Sequence, residues 1–335
     1  PRGEDTMRNN PFNSLLRRYI VSRYEVANGV YSLTDQPGFK LAHGDPVFFD
    51  FRDFRYTHFG DLLFFVPLLI CLSRNFQVVC LATGSHKAIL EFLLPIANYK
   101  ITLMEAPPWL VREQGGGRGM VITTPYLLSR AIYPPDFTII GLGLVSAPTH
   151  QPFPEFLANA FLRFAEVTEW PPEDISTLTA AWSQDIKKRI KHDAAKYDAD
   201  LPEHCIWLAP YLGSGRFRDF LRTKQRALIS AAIERSRGNG ATIILAGGRN
   251  DPAIQIENAN WLDMRGNDIV RMLCLAGSNK VSEGIGFDGF WMHIFDILGK
   301  RFDVLFRGRY TQFARDLHYD SVNISFLGSG ARRYL

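Results

Sequence analysis

Short runs of β-branched and aromatic residues alternate with stretches of helical spacing along most of this 335-residue chain. In the first half, 47–51 reads as a strand, 61–75 as a helix, 77–82 as a strand, 86–97 as a helix and 100–104 as a strand. Strands at 119–123 and 137–142 follow, with a helix at 125–131 between them. Such alternation predicts a parallel sheet joined by right-handed crossovers. Residues 154–197 interrupt it with two long helical patterns. The second opens on Pro171-Pro-Glu-Asp and closes in Lys187-Lys-Arg-Ile-Lys, charges that complement a helix dipole. A polar stretch, 198–203, marks a boundary, and the alternation then restarts. Strands are expected at 205–210, 242–246, 259–263, 279–282 and 302–306, with helices at 223–237, 252–258, 266–275 and 289–298 and a glycine turn at 213–215. The pattern predicts an α/β protein of two doubly wound, Rossmann-like domains, 7–197 and 204–335, facing each other across a cleft.

Composition adds limits. With 46% hydrophobic and 21% charged residues the chain is globular and long enough for two cores. A net charge of +4 suits an anionic ligand or a phospholipid surface without demanding either, and no nucleic-acid partner is expected. Cys71, Cys80, Cys205 and Cys274 sit in apolar runs without metal-ligand spacing, as reduced core residues of a cytoplasmic protein would. Arg17, Arg18 and Arg23 break the first apolar residues, so no secretory signal is expected. The same arginines, at helical spacing within 15–24, suit either a core-packing helix with a solvated face or peripheral contact with the inner face of a membrane.

In parallel sheets ligands bind beyond the carboxyl ends of the strands, so three strand-to-helix turns are the candidates for chemistry. Thr57-His-Phe-Gly-Asp61 places a carboxylate in the first turn of an apolar helix. Asp61 there either caps the helix or accepts a proton from a substrate hydroxyl, with His58 beside it as a second catalytic candidate. Pro210-Tyr-Leu-Gly-Ser-Gly-Arg-Phe-Arg-Asp219 combines Gly213, Ser214 and Gly215 with Arg216, Arg218, Arg222 and Lys224 near a helix start. These are the ingredients of a diphosphate cradle, although a plain turn has the same spelling. Glu283-Gly-Ile-Gly-Phe-Asp-Gly-Phe-Trp-Met-His293 offers Gly286, Asp288, Gly289 and His293 in a turn before a helix.

Together the three turns resemble glycosyltransferase family 9, the lipopolysaccharide heptosyltransferases of the GT-B fold. The residues that carry the resemblance are Gly60-Asp61 with Pro67, Ala209-Pro-Tyr-Leu-Gly-Ser-Gly, Leu245-Ala-Gly-Gly-Arg-Asn-Asp251, Asp263-Met-Arg-Gly, Asp288-Gly-Phe-Trp-Met-His293 and Leu298-Gly-Lys300. The chain departs from the family pattern at Gly289-Phe290, where Thr-Gly is expected, and in the lysine after the phosphate turn. The resemblance implies a nucleotide-sugar donor, a glycan or glycolipid acceptor and no metal or other cofactor. Asp61 becomes the base; Asp288, His293 and, more loosely, Asp251 become donor-site residues. Arg112 and Arg118, in a glycine-rich loop of the first half, are acceptor candidates or plain surface residues.

Three other classes were weighed. Asp198-Ala-Asp200 has the spelling of a metal-holding pair but follows a charged helix, which makes it a linker. A dehydrogenase is disfavoured because Gly141-Leu-Gly-Leu lacks the third glycine and the helix start. A catalytically inactive nucleotide- or glycan-binding protein of the same fold remains the alternative to an enzyme.

Overall fold

A computed structural model of the chain describes residues 26–27, 30–32, 45–52, 59–94, 99–106, 119–123, 137–142, 175–211, 218–305 and 324–326. In chain order the first half contains β1 (Val26–Ala27), β2 (Val30–Ser32), β3 (Pro46–Asp50), α1 (Phe59–Leu72), β4 (Gln77–Leu81), α2 (Gly84–Leu93), β5 (Ile101–Met104), β6 (Gly119–Thr123) and β7 (Phe137–Leu142). A long helix, α3 (Ile175–Ala194), leads through a tighter helical turn (Ala195–Asp200) to the second half. That half contains β8 (Cys205–Ala209), α4 (Arg218–Asn239), β9 (Thr242–Leu245), β10 (Trp261–Asp263), α5 (Ile269–Gly277), β11 (Val281–Phe287), α6 (Phe290–Leu298), β12 (Arg301–Leu305) and β13 (Ile324–Phe326).

Among the described residues the strands form two sheets, ordered β1-β2-β7-β6-β3-β4-β5 and β10-β9-β8-β11-β12-β13. The second is parallel throughout, and the first is parallel from β7 to β5 with an antiparallel β1-β2 hairpin on its edge. Leaving aside the β1-β2 hairpin, each half starts in the middle of its sheet, at β3 or β8, steps to one side and then returns to the other. The reversal falls between β3 and β6 in one sheet and between β8 and β11 in the other, where ligands of such sheets bind. This is the two-sheet, doubly wound α/β architecture expected from the alternation.

Period-two packing explains the layers. Val47 and Phe49 face one core while Phe48 faces another with Val79, Val121 and Phe137. In β8, Cys205 and Trp207 face the first of these cores, and Ile206 and Leu208 lie under α4 with Leu228 and Ala232. The first core is continuous from Val47 to Val304, so the halves share a middle layer of helices. Helix α1 is apolar on every side because it sits inside that layer, packed against α2, α3 and α6. Helix α3 ties the halves together. Trp182 Nε1 donates to Leu93 O at 3.1 Å and Arg189 Nη1 to Phe92 O at 2.6 Å, satisfying carbonyls that the end of α2 leaves open. On its other side Ile190 meets Gly277, where a β-carbon would fall 2.4 Å from Ile190 Cγ2, so α5 needs glycine there.

Several boundaries differ from the sequence pattern. Residues 252–258 are irregular rather than helical: Tyr211 donates to Pro252 O, Arg237 to Asn258 O, and Asn258 has φ of 62°. Strand β11 runs on to Phe287, so Gly286 lies inside a strand and the turn before α6 shrinks to Asp288 and Gly289. Helix α4 begins at Arg218, five residues before the expected start. The short strands β1, β2 and β13 carry too few residues for a visible pattern. The helices expected at 125–131 and across 154–170, and the basic segment 15–24, lie outside the described residues. All four cysteines are buried and unpaired with one another. Among the described residues no helix is long and apolar enough to cross a membrane.

Candidate functional site

The carboxyl ends of the two sheets are brought together by the helices that leave them. Gly60 and Asp61 are the second and third residues of α1, which follows β3. Phe290 opens α6 right after β11, and His293, in its first turn, is buried. A β-carbon placed on Gly60 would lie 3.5 Å from His293 Cδ2 and 3.6 Å from the Phe290 amide nitrogen. The amino ends of two helices, one from each half, therefore stand side by side, with room between them at Gly60 for no more than about a methyl group. Phe59 adds an aromatic bridge: its ring lies 4.8 Å from that of His86, in the first turn of α2, and 5.8 Å from that of Phe290.

Asp288 and Gly289 form the short passage from β11 to α6. The backbone of Gly289 is extended, and among the described residues a β-carbon there would touch nothing within 4 Å. Lys224, on α4, is near enough to Asp288 to feel its charge: burial lowers the Lys224 pKa and Asp288 opposes the shift. A cation from the helix after β8 and an acid from the end of β11 thus face one another where the second sheet reverses. Gly286 has a different role, because a β-carbon there would fall 2.7 Å from Ala209 O and 3.0 Å from Phe302. Packing between β8 and β12 accounts for that glycine.

The ends of β8, β9 and β10 build a polar rim. Asp251 Oδ2 accepts from the Gly248 amide at 2.6 Å, and burial raises the Asp251 carboxyl pKa. A β-carbon on Gly247 would collide with Tyr211 Cδ2 at 2.7 Å and Asp251 Oδ2 at 2.8 Å, so the turn requires glycine. Tyr211 donates to Pro252 O at 2.8 Å, and burial pushes its phenol up to about 12. Arg265 grips Asp263 through Nε at 2.8 Å and Nη2 at 2.6 Å and donates through Nη1 to Asp251 O at 2.8 Å. Gly266, with φ of 73°, lets its amide reach Gly247 O at 3.0 Å and lock the rim.

Of the residues singled out from sequence, Asp61 is the third residue of α1, Asp288 and Gly289 precede α6, and His293, in the first turn of α6, lies beside Gly60, with Lys224 near Asp288. Asp251 stands in the neighbouring rim, and Arg218 is the first residue of α4. His58, Gly213, Ser214, Gly215, Arg216, Arg112 and Arg118 lie outside the described residues. Asp198 and Asp200 sit by the amino ends of the second sheet, Asp198 accepting from Ser278 Oγ at 2.5 Å and Asp200 pairing with Arg271 at 2.9 Å. They are linker residues. The Leu298-Gly-Lys300 segment is also structural: Gly299 ends α6 in the left-handed region, and Lys300 Nζ donates to Ala276 O and Ser278 O at the end of α5. Burial pushes the Lys300 amine down to about 7. Shallow concavities lined by Phe76, Tyr99 and Lys100 and by Arg237, Asn258 and Asn260 lie at the amino ends of strands, the wrong ends for a ligand.

Sequence reasoning missed Phe59, His86, Tyr211 and Arg265, and also Asp50, a buried carboxylate at the end of β3 that Arg52 clasps through Nε at 2.9 Å and Nη2 at 2.6 Å. The Asp-x-Arg spacing of the last pair, repeated at Asp263 and Arg265, was the available signal.

No protein-family model matches the chain, and no curated protein matches it in sequence. Among solved structures it is similar to the glycosyl transferase family 9 protein from Veillonella parvula DSM 2008, with a TM-score of 0.54 at 11% identity over 88% of this chain and 92% of that one. Weaker likenesses are to E. coli ADP-heptose lps heptosyltransferase II (TM-score 0.48, 14% identity, 86% and 92% covered) and E. coli heptosyltransferase WaaC with ADP (0.46, 10%, 84% and 92%). At such identity the Veillonella likeness is one of fold, across nearly the whole of both chains.

Proposed function

We propose that this chain is a metal-independent glycosyltransferase that moves a sugar from a nucleotide-sugar to a hydroxyl of an anionic glycan or glycolipid. The observation that carries the proposal is the meeting of α1 and α6. Two helix amino ends, each with partial positive charge, converge at the carboxyl ends of both sheets, with Asp61 on one and Asp288 just ahead of the other. A site of that kind suits a leaving diphosphate on one side and a general base on the other. The fold it shares with the Veillonella glycosyl transferase family 9 protein supports the same reading.

In this reaction the acceptor hydroxyl gives its proton to the Asp61 carboxylate while its oxygen bonds to the anomeric carbon. The bond from that carbon to the donor diphosphate breaks, and the nucleoside diphosphate leaves with the electron pair. Its charge is met by the α6 amides, by Lys224 and by the turn of Gly213, Ser214 and Gly215 with Arg216 and Arg218, so neutralisation needs no metal. Asp288, Gly289 and His293 border the donor, and Asp251 acts by holding the Gly247-Gly248 turn at its nucleoside end. His58 supports the base, and Arg112 and Arg118 meet an anionic acceptor.

Replacing Asp61 with Asn tests the proposal, because the amide keeps the shape and loses the basicity. Transfer should fall by about 10²–10⁴-fold, with nucleoside-diphosphate binding by calorimetry unchanged. Retention of more than about half of the activity would remove Asp61 from the role. A wild-type protein that binds the donor but neither transfers nor hydrolyses it would be a binding protein of the same fold.

A further inference from the structure

We propose that Phe59 is a positioning residue that couples the two halves, its ring setting where the Gly60-Asp61 turn stands relative to α6. The catalytic consequence rests on Asp61 being the base; the mechanical coupling does not. Phe59 is the first residue of α1 and is partly buried against the shared core. Its ring is tilted by 59° on the His86 ring, which belongs to the first half, and meets the Phe290 ring of the second half edge-on at 66°. Phe290 in turn packs edge-on against Trp291 at 5.1 Å, and Trp291 lies 4.7 Å from Trp207 in β8. A row of five rings therefore runs from the start of α2 to the central strand of the second sheet, crossing between the halves at Phe59 and Phe290.

The crossing lies one residue from Gly60, where a β-carbon would stand 3.6 Å from the Phe290 amide nitrogen, at ordinary contact distance. A shift of the Phe59 ring moves the turn that carries Asp61, and a displacement of about 1 Å at a reacting group lowers a rate by about 10²-fold. A core-filling Phe59 would instead make local contacts alone, and its loss would be felt only in its own half.

Hydrogen exchange in the ligand-free protein separates the two cases. Phe290→Ala should speed exchange of the hydrogen-bonded amides in the second turn of α1, in the other half, by about fivefold, and Phe59→Ala should do the same to those in the second turn of α6, the effect expected from one aromatic pair. Phe59→Tyr, which keeps the ring, should restore the wild-type pattern. In transfer assays Phe59→Ala should lower kcat by about tenfold or more with the donor KM unchanged, and Phe59→Tyr should recover most of it. If Phe59→Ala does not fold, Phe290→Leu provides the same reading from the opposite side. Exchange altered only in the half that carries the substitution would overturn the coupling, and an unchanged kcat in an active enzyme would overturn the positioning role. Reciprocal exchange in a wild-type protein without transfer or hydrolysis would support the coupling while removing the proposed reaction.

Discussion

Asp50-Phe-Arg52 at the end of β3 and Asp263-Met-Arg265 at the end of β10 make the same three hydrogen bonds. In each, the arginine amide donates to Oδ1 at 3.1 Å, Nε donates to the same oxygen at 2.9 or 2.8 Å, and Nη2 donates to Oδ2 at 2.6 Å. Their surroundings are opposite. The Asp50 side chain is 0% exposed and that of Arg52 25%, whereas Asp263 is 37% exposed and Arg265 16%. At the first hook the acid is the buried member, at the end of the strand that leads to α1. At the second the acid is the more exposed member, and the guanidinium reaches on to Asp251 O and steadies the Gly247–Asp251 turn. One local geometry thus clasps a buried carboxylate in the first half and braces a neighbouring turn in the second.

The largest effect expected from this difference is that of Arg52→Ala. It leaves the buried Asp50 carboxylate without its clasp and should lower stability by about 2–4 kcal/mol, as loss of one partner from a buried pair does. Urea denaturation with an unchanged m-value would measure it, and a loss below about 1 kcal/mol would mean that Asp50 is held by its other contacts. Arg265→Ala should cost less, about 1–1.5 kcal/mol, because Asp263 can be hydrated and the remaining loss is the bond to Asp251 O. Its distinguishing mark is a looser turn, read as faster exchange of the Gly248 amide. Equal costs for the two arginines would break the comparison.

The smallest effect is in pH dependence. Hydrogen bonds from Arg265 hold the Asp263 carboxyl below its usual range. The stability this contributes is fully present above the ordinary aspartate pKa of about 3.9, and it is lost as pH falls through the lowered folded value. Asp263→Asn should therefore flatten the fall of Tm in acid, below about pH 4. A fall as steep as that of the wild type would mean that other carboxylates set the acid limb.

The succession of elements was legible in the residues alone. Hydrophobic period and turn residues act over a few positions, so β3, β4, β6 to β9, α3 and α6 stand close to where the pattern put them, and the parallel topology follows from their alternation. The pattern also placed Asp61 at a helix start and Asp288 between a strand and a helix, since glycines and acids before an apolar run are local signals. Failures were local too: β11 continues through Gly284 and Gly286 because Phe295, Phe302 and Ala209 press on them, a contact across strands and helices that no neighbouring residue announces. Long-range packing sets the rest: that the halves share one core, that Phe59 meets Phe290, that Lys224 senses Asp288, and which Asp-x-Arg hook buries its acid. All of these depend on pairs far apart in the chain. Burial and the field at a charge are properties of what folds against it, and the residue's own stretch of sequence does not contain them.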